Sequence, residues 1–240
     1  MTKVQYYTAA SLDGFIADAD NSLDWLFEVP HSEDDGSWDA FIADIGPLVM
    51  GATTYEWIID RYPEMLSGPE RWHEFYDDRP CWVFTHRELT PLSGVEVHFV
   101  SGDVRPAYDA MVAARPGRDI WIVGGGDLVG QFDDAGLLDE IHVHLTPVVL
   151  GAGAPLLPRR ITSSRLRFRG MTHVGQRGQR HPRRVQAGGR RQLSRHPCSS
   201  YARATIPVKR ATASSPGANG PGRKCGLASP RWTDSHAAQS

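Results

Sequence analysis

The feature that most constrains this 240-residue chain is the incompatible composition of its two ends. Residues 171–240 hold 13 of the 26 Lys and Arg residues against one acid, Asp234, a net charge of +12. Residues 1–170 set the other 13 against 27 acids, net −14, and the whole-chain value of −2 hides the division. Leu, Ile, Val and Phe together number 6 in the last 70 residues. A segment so poor in large apolar side chains and so charged cannot bury enough surface to offset its ordering entropy. The expectation is one folded domain over 1–175 and a basic Arg/Ala/Gly/Ser/Pro-rich tail over 176–240, disordered and without a core of its own.

The same reading excludes several classes. No apolar run approaches the roughly 18 residues of a membrane-spanning helix, and the N-terminus passes straight into an alternating pattern without an apolar signal core. Cys81, Cys198 and Cys225 lack zinc-type spacing and give no disulfide framework. A cytoplasmic protein without a membrane partner is expected. The acidity of the domain argues against nucleic-acid binding by its folded part.

Along the chain, Lys3 to Ala9 alternates with strand-forming Val4, Tyr6, Tyr7 and Thr8, and Ser11-Leu12-Asp13-Gly14 breaks it as a turn. Trp38, Phe41, Ile42 and Ile45 share one helix face, ended by Gly46-Pro47. Leu48-Val49-Met50 predicts a short buried strand, followed by a helix over about 54–62, and Arg71 to Asp77 predicts another helical turn. Cys81 to Phe84, Val95 to Val100, Asp119 to Val123, Glu140 to Val149 and Leu166 to Val174 predict further strands, with helices over 106–114 and from Gly126 through about Phe132. Strands alternating with helices predict an α/β domain with a largely parallel sheet.

Two segments share one design: a short apolar strand, a glycine, then a helix. They are Leu48-Val49-Met50-Gly51-Ala52-Thr53-Thr54 and Ile122-Val123-Gly124-Gly125-Gly126-Asp127-Leu128. A glycine at such a turn lets an anion approach backbone N–H groups at the positive end of the helix. Neither is a P-loop or a dinucleotide fingerprint; taken singly, each reads equally as a tight turn. Together, with Thr53 and Thr54 able to cap and donate, they point to phosphate.

The chain resembles the dihydrofolate reductase-like superfamily, and most closely the reductase domain at the C-terminus of the riboflavin-biosynthesis bifunctional deaminase-reductase. The resemblance rests on Ala9-Ala10-Ser11-Leu12-Asp13-Gly14-Phe15-Ile16-Ala17, Met50-Gly51-Ala52-Thr53-Thr54-Tyr55-Glu56, Val123-Gly124-Gly125-Gly126 and Pro147-Val148-Val149-Leu150-Gly151-Ala152-Gly153, in that order. It implies a central, mostly parallel sheet flanked by helices, and hydride transfer from NADPH to a C=N or C=O bond of a small heterocycle. The implied substrate is of the 5-amino-6-(5-phosphoribosylamino)uracil type or a relative; a pteridine reductase or an inactive nucleotide-binding protein of the same fold are the alternatives. Ala9 and Ile16 would lie beside the nicotinamide. Thr53, Thr54 and the backbone around Gly51 would hold phosphate, and Gly124, Gly125 and Gly126 the pyrophosphate where Asp127 and Leu128 open the next helix. Thr85 matches a position that contacts the adenosine 2′-phosphate, and His86 and Arg87 would add charge there. A homodimer is implied as well.

The departures fall on the substrate half. Ala52 stands where the family often has arginine, Phe15 where the pyrimidine reductases have lysine, and Val123 where they have glutamate. Pro30 stands where dihydrofolate reductases place an acid. No catalytic group is assigned. Asp13 and Asp24 are candidates as acids in loops near the pocket, although Asp13 reads more readily as a turn residue, and Asp34 and Asp35 of Glu33-Asp34-Asp35 as helix caps. His142 and His144 share one sheet face and read as partly exposed strand residues; the resemblance would turn His144 towards substrate. Trp38, Trp57 and Trp72 read as packing, while Trp25 sits in a loop that could cover a ligand.

The family ends in an antiparallel pair whose last strand inserts into the sheet. Leu166 to Val174 can supply the first member. No alternating strand follows Gly175-Gln176-Arg177, so the last strand is missing or replaced. A departure from the ancestral reading frame near Arg177 is expected, leaving a gap that invites aggregation or dimerisation. A basic extension binding RNA is the rival, weakened by the absence of aromatic interleaving among its arginines.

Overall fold

In a computed structural model of the chain, residues 1–28, 37–173 and 202–208 are described. An eight-stranded sheet runs through them. β1 (Val4–Ser11), β3 (Ile45–Gly51), β4 (Cys81–Phe84), β5 (Val97–Val100), β6 (Asp119–Gly124) and β7 (Leu138–Thr146) are joined by β9 (Gly170–His173) and β10 (Ala202–Pro207). Their order is β5-β4-β3-β6-β1-β7-β10-β9. The first six are mutually parallel, and β10 is antiparallel to both of its neighbours. The short strands β2 (Phe15–Ala17) and β8 (Ala154–Pro155) form a separate ribbon. This is the dihydrofolate reductase-like α/β arrangement that the motifs imply.

Strand alternation divides the core between the two faces. Val4, Tyr6, Val49, Ile120 and Ile122 pack with α5 (Val104–Ala114) and α6 (Gly126–Asp134) on one side. Tyr7, Leu48, Met50 and Trp121 face the other, against Phe41 of α2 (Ser37–Ile42), Tyr55 and Ile58 of α3 (Ala52–Arg61) and Trp72 of α4 (Glu70–Tyr76). α1 (Asp24–Phe27) packs nearby. The helix expected to run to Ile45 stops at Ile42, because Ile45 opens β3 opposite Asp119, and Gly46 and Pro47 lie within that strand.

The last strand is replaced rather than missing. Ala202–Pro207 occupies the inserted position between β7 and β9, so the expected gap is closed, and by residues of the supposedly coreless tail. Ala204 and Val208 are buried, and Ile206 packs beside them against Ile141 and Val143 of β7. Pro207 is tolerated because its carbonyl accepts from Arg167 N, so its nitrogen faces the same side, past the end of β9, where no ladder bond is needed. On the opposite face Thr205 Oγ1 meets His142 Nδ1 at 3.2 Å, and His142 Nε2 meets Gln5 Oε1 at 3.0 Å. Gln5 Nε2 donates to Asp119 Oδ2 at 2.6 Å, tying four strands through one polar thread. The tail residues 176–201 and 209–240, with Cys198 and Cys225, lie outside the described residues, as do Val174 and Gly175.

Candidate active site

In a parallel sheet the carboxyl ends of the strands form a crevice where the strand order reverses, and ligands bind there. Here β3 and β6 lie side by side, one leading outward to β4 and β5 and the other returning beside β1. Both turn into helices through glycine. Gly51 caps α3 in an extended conformation, and Gly125 caps α6 with φ +96°, open to glycine alone without strain. Neither helix has a side-chain N-cap bond, so their first-turn N–H groups remain available to an anion.

The crevice between them is a cavity of about 430 Å³, within the range of small-molecule sites. The β3–α3 turn contributes Gly51, Ala52, Thr53 and Thr54. The loop after β4 contributes Thr85, His86 and Arg87, and the α6 turn Gly125, Asp127 and Leu128. Gly124 and Gly126 serve the site without lining it. A side chain at Gly124 would strike Thr54 Oγ1 at 2.7 Å, and one at Gly126 would meet the carbonyls of Pro155 and Leu156, the latter at 2.7 Å.

The charges around the crevice are held in place. Arg87 Nη2 pairs with Glu56 Oε2 of α3 at 2.8 Å, and Thr85 Oγ1 accepts from Arg87 N at 2.9 Å while donating to Arg87 O at 3.0 Å. Asp127, an acid on the first turn of α6, would oppose a bound anion. Arg159 offsets it, reaching Asp127 Oδ1 at 3.2 Å and Asp134 Oδ2 at 2.9 Å.

A second cavity, about 180 Å³, opens beside the first. Val123 of β6 lines it, two residues before Gly125 of the crevice. Ala9 and Thr8 of β1 form the rest of its floor. The rings of Tyr7, Trp38, Trp57, Tyr62, Phe75, Tyr76 and Trp121 make up most of the lining, with Tyr76 and Trp121 6.0 Å apart. Trp121 Nε1 donates to Tyr7 O at 3.1 Å, and the Trp38 and Trp121 rings meet edge-on at 5.2 Å.

The remaining predicted residues fall elsewhere. Asp13 accepts from Ser11 Oγ at 2.6 Å, Gly151 N at 2.7 Å and Leu150 N at 3.1 Å, so it locks the β1 turn to the 147–153 loop as a turn residue. The Ser11 hydroxyl chiefly, with those amides, holds its carboxyl below the usual range, the reverse of what a general acid needs. Asp24 is exposed at the start of α1. Ile16 packs against the core from β2. Trp25 is buried with Leu26 against Ala9, Val148 and Leu150 and lines neither cavity. His142 and His144 are buried, not partly exposed, because Tyr7 stands over them with ring centroids at 5.8 and 4.8 Å. His144 does not line the aromatic cavity. Pro30 and Glu33, Asp34 and Asp35 lie outside the described residues.

Sequence reasoning missed two contributions. Ser101 and Gly102 follow β5 and line the crevice; a Ser-Gly pair at the carboxyl end of a strand in this sheet was the available signal. Trp38 and Trp57, read as packing, line the aromatic cavity.

Fold and crevice together define a dihydrofolate reductase-like protein with a small-molecule-sized crevice at its strand ends. Comparison with known proteins narrows the class. Residues 71–179 match the family model of the RibD C-terminal domain. The uncharacterized protein YwjB of Bacillus subtilis is 34% identical over 181 residues, covering 75% of this chain and 96% of YwjB. A crystal structure of a candidate riboflavin biosynthesis protein from Shewanella sp. PV-4 superposes with a TM-score of 0.58 at 25% identity, covering 88% of this chain and all of that one. A pyrimidine reductase-like protein from Corynebacterium diphtheriae shares the fold, with a TM-score of 0.53 at 14% identity over 88% of this chain and 93% of its own. The chain belongs to the RibD C-terminal domain family, a reductase-type family.

Proposed function

We propose that the chain is an NADPH-dependent reductase, with the cofactor in the β3–β6 crevice and a small heterocycle in the aromatic cavity. The observation that carries this is the convergence of two uncapped helix N-termini, Thr53, Thr54, Thr85, His86 and Arg87 on one crevice, with Val123 of a second, aromatic cavity two residues before its Gly125. The residues present fit the cofactor. The two helix N-termini and threonine hydroxyls suit a pyrophosphate, and Arg87, braced by Glu56, suits a 2′-phosphate. When bound, NADPH supplies a hydride. Ala9 and Val123, small or apolar, line the aromatic cavity and add no charge beside the ring to be reduced. No described carboxylate lines the aromatic cavity.

The test is a titration of the protein with NADPH and NADH, followed by tryptophan quenching. NADPH is expected to bind more tightly. Arg87→Ala should weaken NADPH about tenfold, since a charge-assisted phosphate contact is worth roughly 1.5–3 kcal/mol before solvent screening, and should leave NADH unchanged. A folded protein that binds neither nucleotide refutes the proposal. The departures of the substrate side from the family pattern, Val123 among them, favour a second reading, nucleotide binding without turnover; saturable NADPH binding with no oxidation by any pyrimidine or pteridine would select it.

A further inference from the structure

Resting on the reductase reading, we infer that the aromatic cavity takes an uncharged, planar one- or two-ring compound whose ring carries the reducible C=N or C=O bond, rather than a phosphorylated ribosyl-pyrimidine. Charge is the first argument. No described residue lining the cavity is charged, and its walls are rings. A phosphate placed there would lose its hydration with no counter-ion to replace it, whereas a flat neutral ring gains stacking and edge contacts.

A guanidinium behind two of those rings is paired with acids. Arg71 lies over the rings of Tyr62 and Phe75 at 4.8 and 4.5 Å and is paired with Glu64 at 3.5 Å and with Glu74. Reaching a ligand phosphate would break those pairs. Size gives the second argument. A dry apolar cavity of about 150 Å³ holds benzene, so about 180 Å³ seats a small ring system, and a ribosyl phosphate attached to it would have to extend beyond the aromatic lining. Tyr76 is among the lining residues, and burial raises its pKa, so its hydroxyl stays neutral and keeps its proton.

The reaction balances simply. The hydride adds to the carbon of the C=N or C=O bond, whose π pair takes a solvent proton at nitrogen or oxygen. The ring gains two electrons and two hydrogens, and NADP⁺ leaves.

Quinoxaline, neutral and two-ringed, and uridine 5′-monophosphate are the probes, each titrated into the full-length protein without cofactor; NADPH binding is measured separately. Quinoxaline should bind saturably, resist displacement by a large excess of uridine monophosphate, and oxidise NADPH when both are present. Trp57→Ala should weaken quinoxaline about tenfold, the value of one lost aromatic contact, with NADPH affinity unchanged. Displacement by uridine monophosphate, or no quinoxaline binding by a protein that binds NADPH, overturns the inference. Quinoxaline binding by a protein that fails to bind NADPH overturns the reductase reading alone and upholds the neutral-ring site.

Discussion

Val208 tests whether the strand supplied by the tail is part of the core. It is 6% exposed, packs in the cluster beneath α5 and α6, bridges Leu166, and donates its N–H to Asp139 O at 2.6 Å. Val208→Ala removes two carbons from that environment. At about 0.8 kcal/mol each, plus a term for the cavity left behind, the cost is about 2 kcal/mol. In a domain of this size that lowers the Tm by roughly 4–8 °C. Val208→Asp is harsher, because the carboxylate must be desolvated or the strand must leave the sheet, and about 4 kcal/mol is expected. Val149, 68% exposed on a loop, provides the control: Val149→Asp should stay within about 0.5 kcal/mol of the parent. Urea denaturation of the three variants and the parent measures all of this. If Val208→Asp costs no more than Val149→Asp, residues 202–208 do not hold their place in the sheet and the argument for a replaced last strand fails.

Two other outcomes follow from the geometry. The Glu140 carboxyl is held down to about 2 from 4.5, first by its hydrogen bond with His142 and then by Lys3, against the opposing effect of burial. Its contribution is therefore whole above pH 4.5 and lost as pH falls towards 2, on the order of 3 kcal/mol; Glu140→Gln should flatten that acid limb in denaturation midpoints taken across the window. At Gly126, an alanine would drive its Cβ into the Pro155 and Leu156 carbonyls, which are backbone and cannot rotate away. Gly126→Ala should cost about 1–3 kcal/mol in the same denaturation assay and weaken NADPH in the quenching titration, by displacing the start of α6.

The glycine turns were legible in the sequence because each answers to a local necessity. Gly125 needs its positive φ, Gly124 yields to Thr54, and Gly126 yields to the 155–156 carbonyls. Such constraints leave one residue type, and a one-dimensional reading can find it. The placement of the threonines and Arg87 around one crevice followed from the same strand-turn-helix pattern and from the family resemblance. β10 was not legible. It lies 28 residues beyond His173, contains a proline, and is short, and its apolar face is only Ala204, Ile206 and Val208. What makes it a strand is the slot between β7 and β9, a tertiary fact. The histidines show the same limit. Alternation placed His142 and His144 on one face, but their burial depends on Tyr7 and, for His142, on Phe41 and Thr205, far away in sequence.

The departures from the family pattern become interpretable only by where they land. Phe15 does not enter either cavity; it pairs with Pro155 in the β2–β8 ribbon, its N–H held by Ser11 Oγ at 2.9 Å. Ala52 lies in the crevice, where Arg87 and the two helix N-termini still offer positive potential without an arginine at that position. Val123 is the decisive one, since it lines the aromatic cavity itself. A glutamate there would introduce a charge among rings with no described cation to meet it, whereas valine keeps the cavity apolar. The polar groups are therefore concentrated on the nucleotide side of β6 and the aromatic ones on the other. That partition follows if the nucleotide is the only anion the site receives.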